Sequence, residues 1–230
     1  MKRTKLRDRI LPDYTLGEEI FNSVSHGVGA LFAIAALVLC VVMAALRGNV
    51  RAIVSASVYG LTMIVLYTMS SIYHGLKRNT AKKVFQVIDH CSIFFLIAGS
   101  YTPITLVTLF DIKPLYGWLL FSIVWTITIV GCVFTAIDWK KYNVLSMICY
   151  LGMGWCIVVF IKDVVRALGI GGTILLALGG ILYTVGAVLY MIGHKHRYFH
   201  SIFHLFVLGG SIAHFFTILL YILPCEKPLW

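Results

Sequence analysis

The sequence has few charged residues, and acidic residues are the scarcest. Only 9 of its 230 residues are Asp or Glu and 19 are Lys or Arg, so 12% of the chain is charged while 60% is hydrophobic. A soluble globular domain needs a more polar surface than this composition can supply, so that class is excluded. The charges fall in short clusters between apolar runs of roughly 20 residues, the length a helix needs to cross about 30 Å of hydrocarbon. The chain is therefore predicted to be a multi-pass membrane protein.

The sequence also lacks the cysteine pairs that bind metals or exchange disulfides. No Cys-x-x-Cys pair occurs, and five of the six cysteines lie in apolar runs, where a thiol behaves as a small hydrophobic group. The formal net charge of +10 does not indicate nucleic-acid binding, because Lys and Arg fall in the loops while the aromatic residues lie inside or at the ends of the apolar runs. We expect membrane lipids as partners and no nucleic acid, and no oligomeric state is indicated.

The apolar runs predict an all-α fold, a single domain over residues 1–230 with seven transmembrane helices joined by short turns. Residues 1–18 are expected to form a basic cytoplasmic tail. The predicted helices cover residues 24–46, 52–73, 87–109, 115–137, 144–161, 170–192 and 201–223.

The distribution of Lys and Arg predicts the orientation of this bundle. Thirteen of them fall in the N-terminal tail and in the loops after the second, fourth and sixth runs, against six in the alternate loops and the C-terminal segment. Cytoplasmic loops carry the excess of positive charge. The N-terminus is therefore predicted to lie in the cytoplasm and the C-terminus outside, in the plasma membrane.

Five ionisable residues lie at helix ends that share the cytoplasmic face in this topology. His74 ends the second run, Asp89 and His90 begin the third, and His200 and His204 begin the seventh. Ionisable groups at membrane depth are costly, which makes each of them a candidate functional residue. An isolated histidine in a helix is more often a hydrogen-bonded core or interfacial residue, so the prediction depends on the shared depth of the five.

The spacing of the histidines predicts a metal site. His200 and His204 are four residues apart, so their imidazoles project from one helix face about 6 Å apart, as two ligands from one helix must. With His74 they offer three neutral nitrogens, a set that suits Zn²⁺ and leaves the fourth tetrahedral position open, as in catalytic zinc sites. Asp89 is expected to hydrogen-bond a water there or to orient an imidazole.

Further polar residues are candidates for the surroundings of this site. Glu19, Asn22 and His26 share one face of the first helix, and we expect them to cap or line the same cavity. His90 is a further candidate beside Asp89. His214 lies ten residues beyond His204, roughly 15 Å along the helix axis, so it cannot bind the same ion and is expected to hydrogen-bond within the bundle.

Four motifs occur together along the chain. They are Glu19-x-x-Asn22-x-x-x-His26, Ser70-x-x-x-His74, Asp89-His90 followed by Gly99-Ser-Tyr-Thr-Pro103, and His200-x-x-x-His204 with His214 ten residues later. The combination resembles the haemolysin III family, the bacterial branch of the progestin and adipoQ receptors, over nearly the whole chain. The resemblance implies a seven-helix bundle with a cytoplasmic N-terminus and zinc held by the histidines at 74, 200 and 204. It also places Asp89 near the water that the metal binds, and Ser70 one turn before the first ligand.

Three functions remain open at this stage. The wider superfamily includes alkaline ceramidases, so the resemblance implies hydrolysis of lipid amide bonds, with Asp89 taking a proton from water and Ser70 stabilising the oxyanion. Alternatively, the zinc only ties helices together in a non-enzymatic regulator of membrane state. Pore formation, which the family name implies, is disfavoured because a toxin must travel through water and seven apolar spans would aggregate there.

Overall fold

The structure, a computed structural model, describes residues 4–193 and 196–224, and every element within these ranges is helical. Outside these ranges lie the C-terminal residues 225–230, which include Cys225, and four of the positive charges counted in the sequence: Lys2, Arg3, Lys195 and Lys227. The elements are a 3₁₀ turn at Leu6–Asp8, α1 at Leu16–Leu46, α2 at Val50–Gly75, α3 at Thr80–Pro103, a π-helical segment at Ile104–Leu109, α4 at Phe110–Ile112, α5 at Pro114–Trp155, a 3₁₀ segment at Cys156–Phe160, α6 at Ile161–Ile192, α7 at Phe199–Thr217 and a π-helical segment at Ile218–Ile222.

Side-chain caps fix where the first three long helices begin. Thr15 and Glu18 form a reciprocal capping box at the start of α1. The Asn49 side chain accepts hydrogen bonds from two backbone N–H groups of α2, and the Asn79 side chain accepts one from the backbone of α3. α1 therefore begins eight residues before the apolar run at 24–46, and its first two turns precede that run.

Five helical stretches are long and apolar enough to cross a membrane. They are Leu16–Leu46, Val50–Gly75, Thr80–Ile112, Pro114–Ile192 and Phe199–Ile222. Large apolar side chains are exposed along these stretches, as expected for surfaces that contact lipid tails. The architecture is that of a multi-pass membrane protein.

The stretch Pro114–Ile192 folds back on itself. Its 79 residues would extend about 120 Å as a straight helix, several times the hydrocarbon thickness. The backbone leaves helical geometry at Asp138 and at Gly169, where φ is +65°. Thr135 and Ser146 are 11 residues apart, yet their hydroxyl oxygens are 3.1 Å apart, whereas a straight helix would separate them by roughly 16 Å.

The two breaks therefore turn the stretch, and they fall between the apolar runs at 115–137, 144–161 and 170–192. The count of seven spans and the sides on which the termini lie stay predictions.

The segment before α1 packs against the bundle, and we call residues 4–15 the N-terminal strap. The buried Arg9 guanidinium donates to the Ala136 and Ile137 carbonyls, which end the first arm of α5. Nearby, the Thr4 backbone N–H donates to the Asp138 carboxylate at 3.0 Å. Farther along, Arg78 donates to the backbone carbonyls of residues 11 and 12 at 3.2 and 3.0 Å. The strap thus crosses the end of the bundle at which α1 begins and α2 ends.

Candidate metal centre

Three histidines from two helices converge at this end of the bundle. His74 lies in the last turn of α2, and His200 and His204 lie in the first turns of α7. The Nε2 atom of His200 is 3.3 Å from Nε2 of His74 and 3.1 Å from Nε2 of His204. One nitrogen from each ring lies within 4.8 Å of the other two, and all three residues are buried.

Local backbone structure sets the direction in which α7 presents its two histidines. Tyr198, just before α7, is the one described non-glycine residue with a positive φ, at 62°. Its backbone N–H donates to a Glu18 carboxylate oxygen at 2.7 Å. A left-handed conformation costs a non-glycine residue of order 1 kcal/mol, so this contact from α1 helps to hold the turn. The position of His200 therefore depends on α1 as well as on α7.

The arrangement fits a zinc ion. Four ligands at about 2.05 Å in tetrahedral geometry are separated by about 3.4 Å from one another, close to the two Nε2 separations here. Neutral imidazole nitrogens are ligands that zinc prefers, and three protein ligands leave one position open. The three imidazoles can therefore serve as ligands of one metal ion, and the two measured separations suit zinc.

The acidic residue of the first motif orients the ligand from α2. Glu19 Oε2 lies 2.7 Å from His74 Nδ1, and the buried Asn22 amide nitrogen lies 3.5 Å from the same atom. A carboxylate at this nitrogen favours the tautomer with the proton on Nδ1, which leaves the lone pair of Nε2 directed at the other two histidines. Glu19 and Asn22 thus lie beside the candidate metal position, behind its first ligand.

The apolar runs place Lys82 in the loop between residues 73 and 87, as one of the thirteen positive charges of the cytoplasmic set, but in the structure it is helical. It lies in the first turn of α3 and is only 2% exposed. Its ammonium nitrogen is 2.8 Å from Glu19 Oε1. The Asn79 cap is the sequence signal that could have placed Lys82 within a helix, but nothing in the sequence indicated its ion pair.

Aromatic rings cover the three histidines on two sides. His26 stacks on His204 with ring centroids 3.7 Å apart, and its other face meets the edge of Tyr67 at 5.0 Å. Tyr14 of the N-terminal strap stacks on His200 at 4.8 Å and lies 5.7 Å from His74. Tyr14 belongs to none of the four sequence motifs. It reaches the histidines because the N-terminal strap, of which it is part, crosses this end of the bundle.

Asp89 and Ser70 lie together beside the histidines. The Ser70 hydroxyl is in hydrogen-bonding contact with the largely buried Asp89 carboxylate. Asp89 is not part of the group of three whose ligand atoms lie within 4.8 Å. His90 Nδ1 donates to the Gln86 carbonyl at 2.7 Å and lies 3.9 Å from Asp89 Oδ2, while its Nε2 lies 3.1 Å from the Tyr190 hydroxyl.

A mostly apolar cavity of about 120 Å³ begins at these groups and extends into the bundle. Ser70, Asp89 and His204 line its polar end, whereas His74 and His200 are not among its lining residues. His214 lines it far from the histidine group, where its ring meets Tyr183 at 5.2 Å. The remaining lining is dominated by aromatic and aliphatic side chains from α2, α3, α5, α6 and α7.

Comparison with known proteins identifies the family. The sequence model of the family described as "Haemolysin-III related" matches residues 14–215. The chain is 42% identical to Hemolysin-3 of Bacillus cereus over 207 residues, which cover 90% of this chain and 93% of that protein. It is 41% identical to the Hemolysin-3 homolog of Bacillus subtilis (strain 168) over 208 residues, 90% and 96% of the two chains. The human Monocyte to macrophage differentiation factor is 26% identical over 174 residues, 74% of this chain and 71% of that one. The match across almost the entire chain confirms the resemblance found in the motifs: the protein belongs to the haemolysin III family of integral membrane proteins.

Proposed function

We propose that this protein is a zinc-dependent hydrolase that acts on amide bonds of membrane lipids at the cytoplasmic side of the bilayer. His74, His200 and His204 hold the zinc. The observation that carries the proposal is the convergence of three imidazole nitrogens beside an apolar cavity, whose polar end is lined by one of the three, His204, and by the largely buried Asp89 carboxylate. A pocket of this kind, with a few convergent polar groups, is the usual form of a small-molecule site.

In this proposal the zinc supplies Lewis-acid polarisation of a carbonyl group and activation of a water molecule. The protein supplies the base, since the Asp89 carboxylate faces the cavity and can accept a proton there. Ser70 lines the cavity beside Asp89, and we assign it to stabilising the oxyanion that forms during attack on the carbonyl group.

The cavity walls determine what can enter. Beyond the polar end its lining includes Leu66, Ile93 and Val207, which exclude water and suit an acyl chain. A lipid placed with its chain among these residues would bring its amide group to Asp89 and His204. Lipids of the membrane that surrounds the protein are therefore the proposed substrates.

The proposed topology has seven spans, a cytoplasmic N-terminus and an external C-terminus. Its support is the excess of Lys and Arg in alternate loops and the two backbone breaks in the stretch Pro114–Ile192. This arrangement places the ends of α2 and α7 that carry the histidines at the cytoplasmic side.

The test is hydrolysis of a panel of N-acyl lipids by the full-length protein, purified in detergent and loaded with zinc. Asp89→Asn should lower turnover roughly 10²- to 10⁴-fold, the usual contribution of a general base, while zinc content is unchanged. Asp111→Asn makes the same chemical change at an exposed carboxylate that pairs with Arg47 and Arg51, outside the cavity lining, and should leave turnover intact. Retention of zinc with no hydrolysis of any lipid in the panel would remove the enzymatic proposal.

One observation favours a second candidate function, a non-enzymatic membrane protein with structural zinc. Two of the three ligands, His74 and His200, do not line the cavity, and Tyr14 and His26 cover the group. A metal enclosed in this way would tie α2 to α7. Under this alternative, zinc removal lowers thermal stability and no lipid is turned over. Leakage of liposomes at low protein-to-lipid ratio, with defined conductance steps, would instead point to pore formation.

A further inference from the structure

A buried cation lies behind the first zinc ligand. The Lys82 ammonium donates to the carbonyls of His74 and Leu76, at 3.3 and 3.0 Å, in addition to its ion pair with Glu19 at 2.8 Å. An ammonium group has three donors, so these three contacts use all of them. Charged groups are seldom so completely buried unless they are paired, and here the pairing is complete.

The Glu19 carboxylate links this cation to the imidazole. Its Oε1 atom contacts Lys82 Nζ at 2.8 Å, and its Oε2 atom contacts His74 Nδ1 at 2.7 Å. With one partner on each oxygen, the plane of the carboxylate is fixed. Loss of either partner would leave an unmatched oxygen on a carboxylate that is only 14% exposed, which is unfavourable and favours its rearrangement. The orientation of His74 therefore depends on a residue that never contacts the ring nitrogens.

We propose that Lys82 is a positioning residue of the metal centre. Through Glu19 it holds the His74 imidazole in the rotation at which Nε2 faces His200 and His204. The link joins three helices, because Glu19 is on α1, His74 on α2 and Lys82 on α3. This inference rests on the zinc site of the proposed function and extends it to a residue outside the ligand set.

A purely structural role for Lys82 is the competing explanation. Basic side chains often donate to the last carbonyls of a helix, and the contacts of Lys82 with His74 and Leu76 are of this kind at the end of α2. Arg9 is a matched control, because it is also buried and donates to two backbone carbonyls at a helix end, but these belong to residues 136 and 137 of α5 rather than to the end of α2. A positioning role and a purely structural role therefore predict different effects on zinc affinity when Lys82 and Arg9 are replaced.

The experiment compares Lys82→Met, Lys82→Arg, Glu19→Gln and Arg9→Met in the full-length protein in detergent. Zinc affinity is measured by competition with a chromophoric chelator, and the visible spectrum of the Co²⁺-substituted protein reports the geometry of the ligands. Lys82→Met and Glu19→Gln should each weaken zinc binding 10- to 100-fold, the usual effect of removing a residue that orients a ligand, and should change the Co²⁺ spectrum. The double variant should be little weaker than either single one, because both changes break the same link.

Lys82→Arg should recover most of the affinity, and Arg9→Met should lower thermal stability without changing zinc affinity. Equal affinity in wild type and Lys82→Met, with stability losses that match those of Arg9→Met, would show that Lys82 only caps α2. If Lys82→Met fails to fold, Glu19→Gln tests the same link, and unchanged affinity there overturns the proposal. A wild-type protein that binds no zinc would overturn the proposed function itself. Equal zinc binding by the wild type and Lys82→Met would instead overturn only the positioning role of Lys82.

Discussion

Removal of one histidine ligand is the most direct test of the metal centre, and α7 offers a matched control. His204→Ala and His214→Ala each delete a buried imidazole from the same helix, so their costs to the metal-free protein should be similar, a few kcal/mol at most. Only His204 belongs to the group of three nitrogens. We therefore expect the zinc content to fall to near zero in His204→Ala and to stay at the wild-type level in His214→Ala.

The size of the effect follows from linkage. Zinc at 1,000 times its dissociation constant stabilises the folded state by about 4 kcal/mol. For soluble domains of this length, 1 kcal/mol corresponds to about 2–4 °C, so adding zinc should raise the Tm of the wild type and of His214→Ala by about 8–16 °C. The shift should disappear in His204→Ala.

The assay is a thermal shift of the detergent-solubilised protein, with and without zinc, beside elemental analysis of the same samples. Because each protein is compared with its own metal-free form, a general loss of stability does not affect the result. A zinc-dependent shift that survives in His204→Ala, or that is lost equally in both variants, would refute the assignment of the ligands.

The remaining predictions concern packing, access, protons and catalysis. Gly99→Ala would place a methyl group against the Thr62 side chain, so it should destabilise the protein by about 1–3 kcal/mol in chemical denaturation, and Thr62→Ala should relieve part of that loss by removing the hydroxyl. Tyr14→Ala should speed the transfer of zinc to an added chelator without lowering occupancy at equilibrium, because it uncovers His200. Zinc occupancy should fall as the pH is lowered, since protons compete with the metal for the imidazole nitrogens, and dialysis at stepped pH measures this. Asp89→Asn should keep zinc while lipid hydrolysis falls roughly 10²- to 10⁴-fold, whereas joint loss of zinc and hydrolysis would place Asp89 among the ligands.

The long apolar stretches and the convergence of the histidines were predictable because both follow from simple periodicity. The spacing of His200 and His204 places their rings on one helix face, and charge-free runs of about 20 residues mark helices that can cross a bilayer. The apolar run placed the start of the first helix at residue 24, whereas α1 begins at Leu16, after the capping box that Thr15 and Glu18 form.

Other features could not be predicted from the sequence. The burial of Lys82 depends on a partner 63 positions earlier in the chain, and a lysine next to a turn ordinarily lies in water. Tyr14 stacks on His200 only because Arg9 and Arg78 hold the N-terminal strap across the bundle, contacts that have no periodic signature. Such features arise from tertiary packing, which single-sequence patterns do not encode.

The anchoring of the N-terminal strap also affects how the protein can be handled. Thr4 bonds to the bend at Asp138, and ten residues later Tyr14 rests against His200. An affinity tag or fluorescent fusion joined ahead of Thr4 would pull on that bend and so disturb the covering of the metal centre. Faster transfer of the metal to a chelator in such a fusion would report the tag rather than the ligands, so measurements on the untagged chain are the appropriate reference.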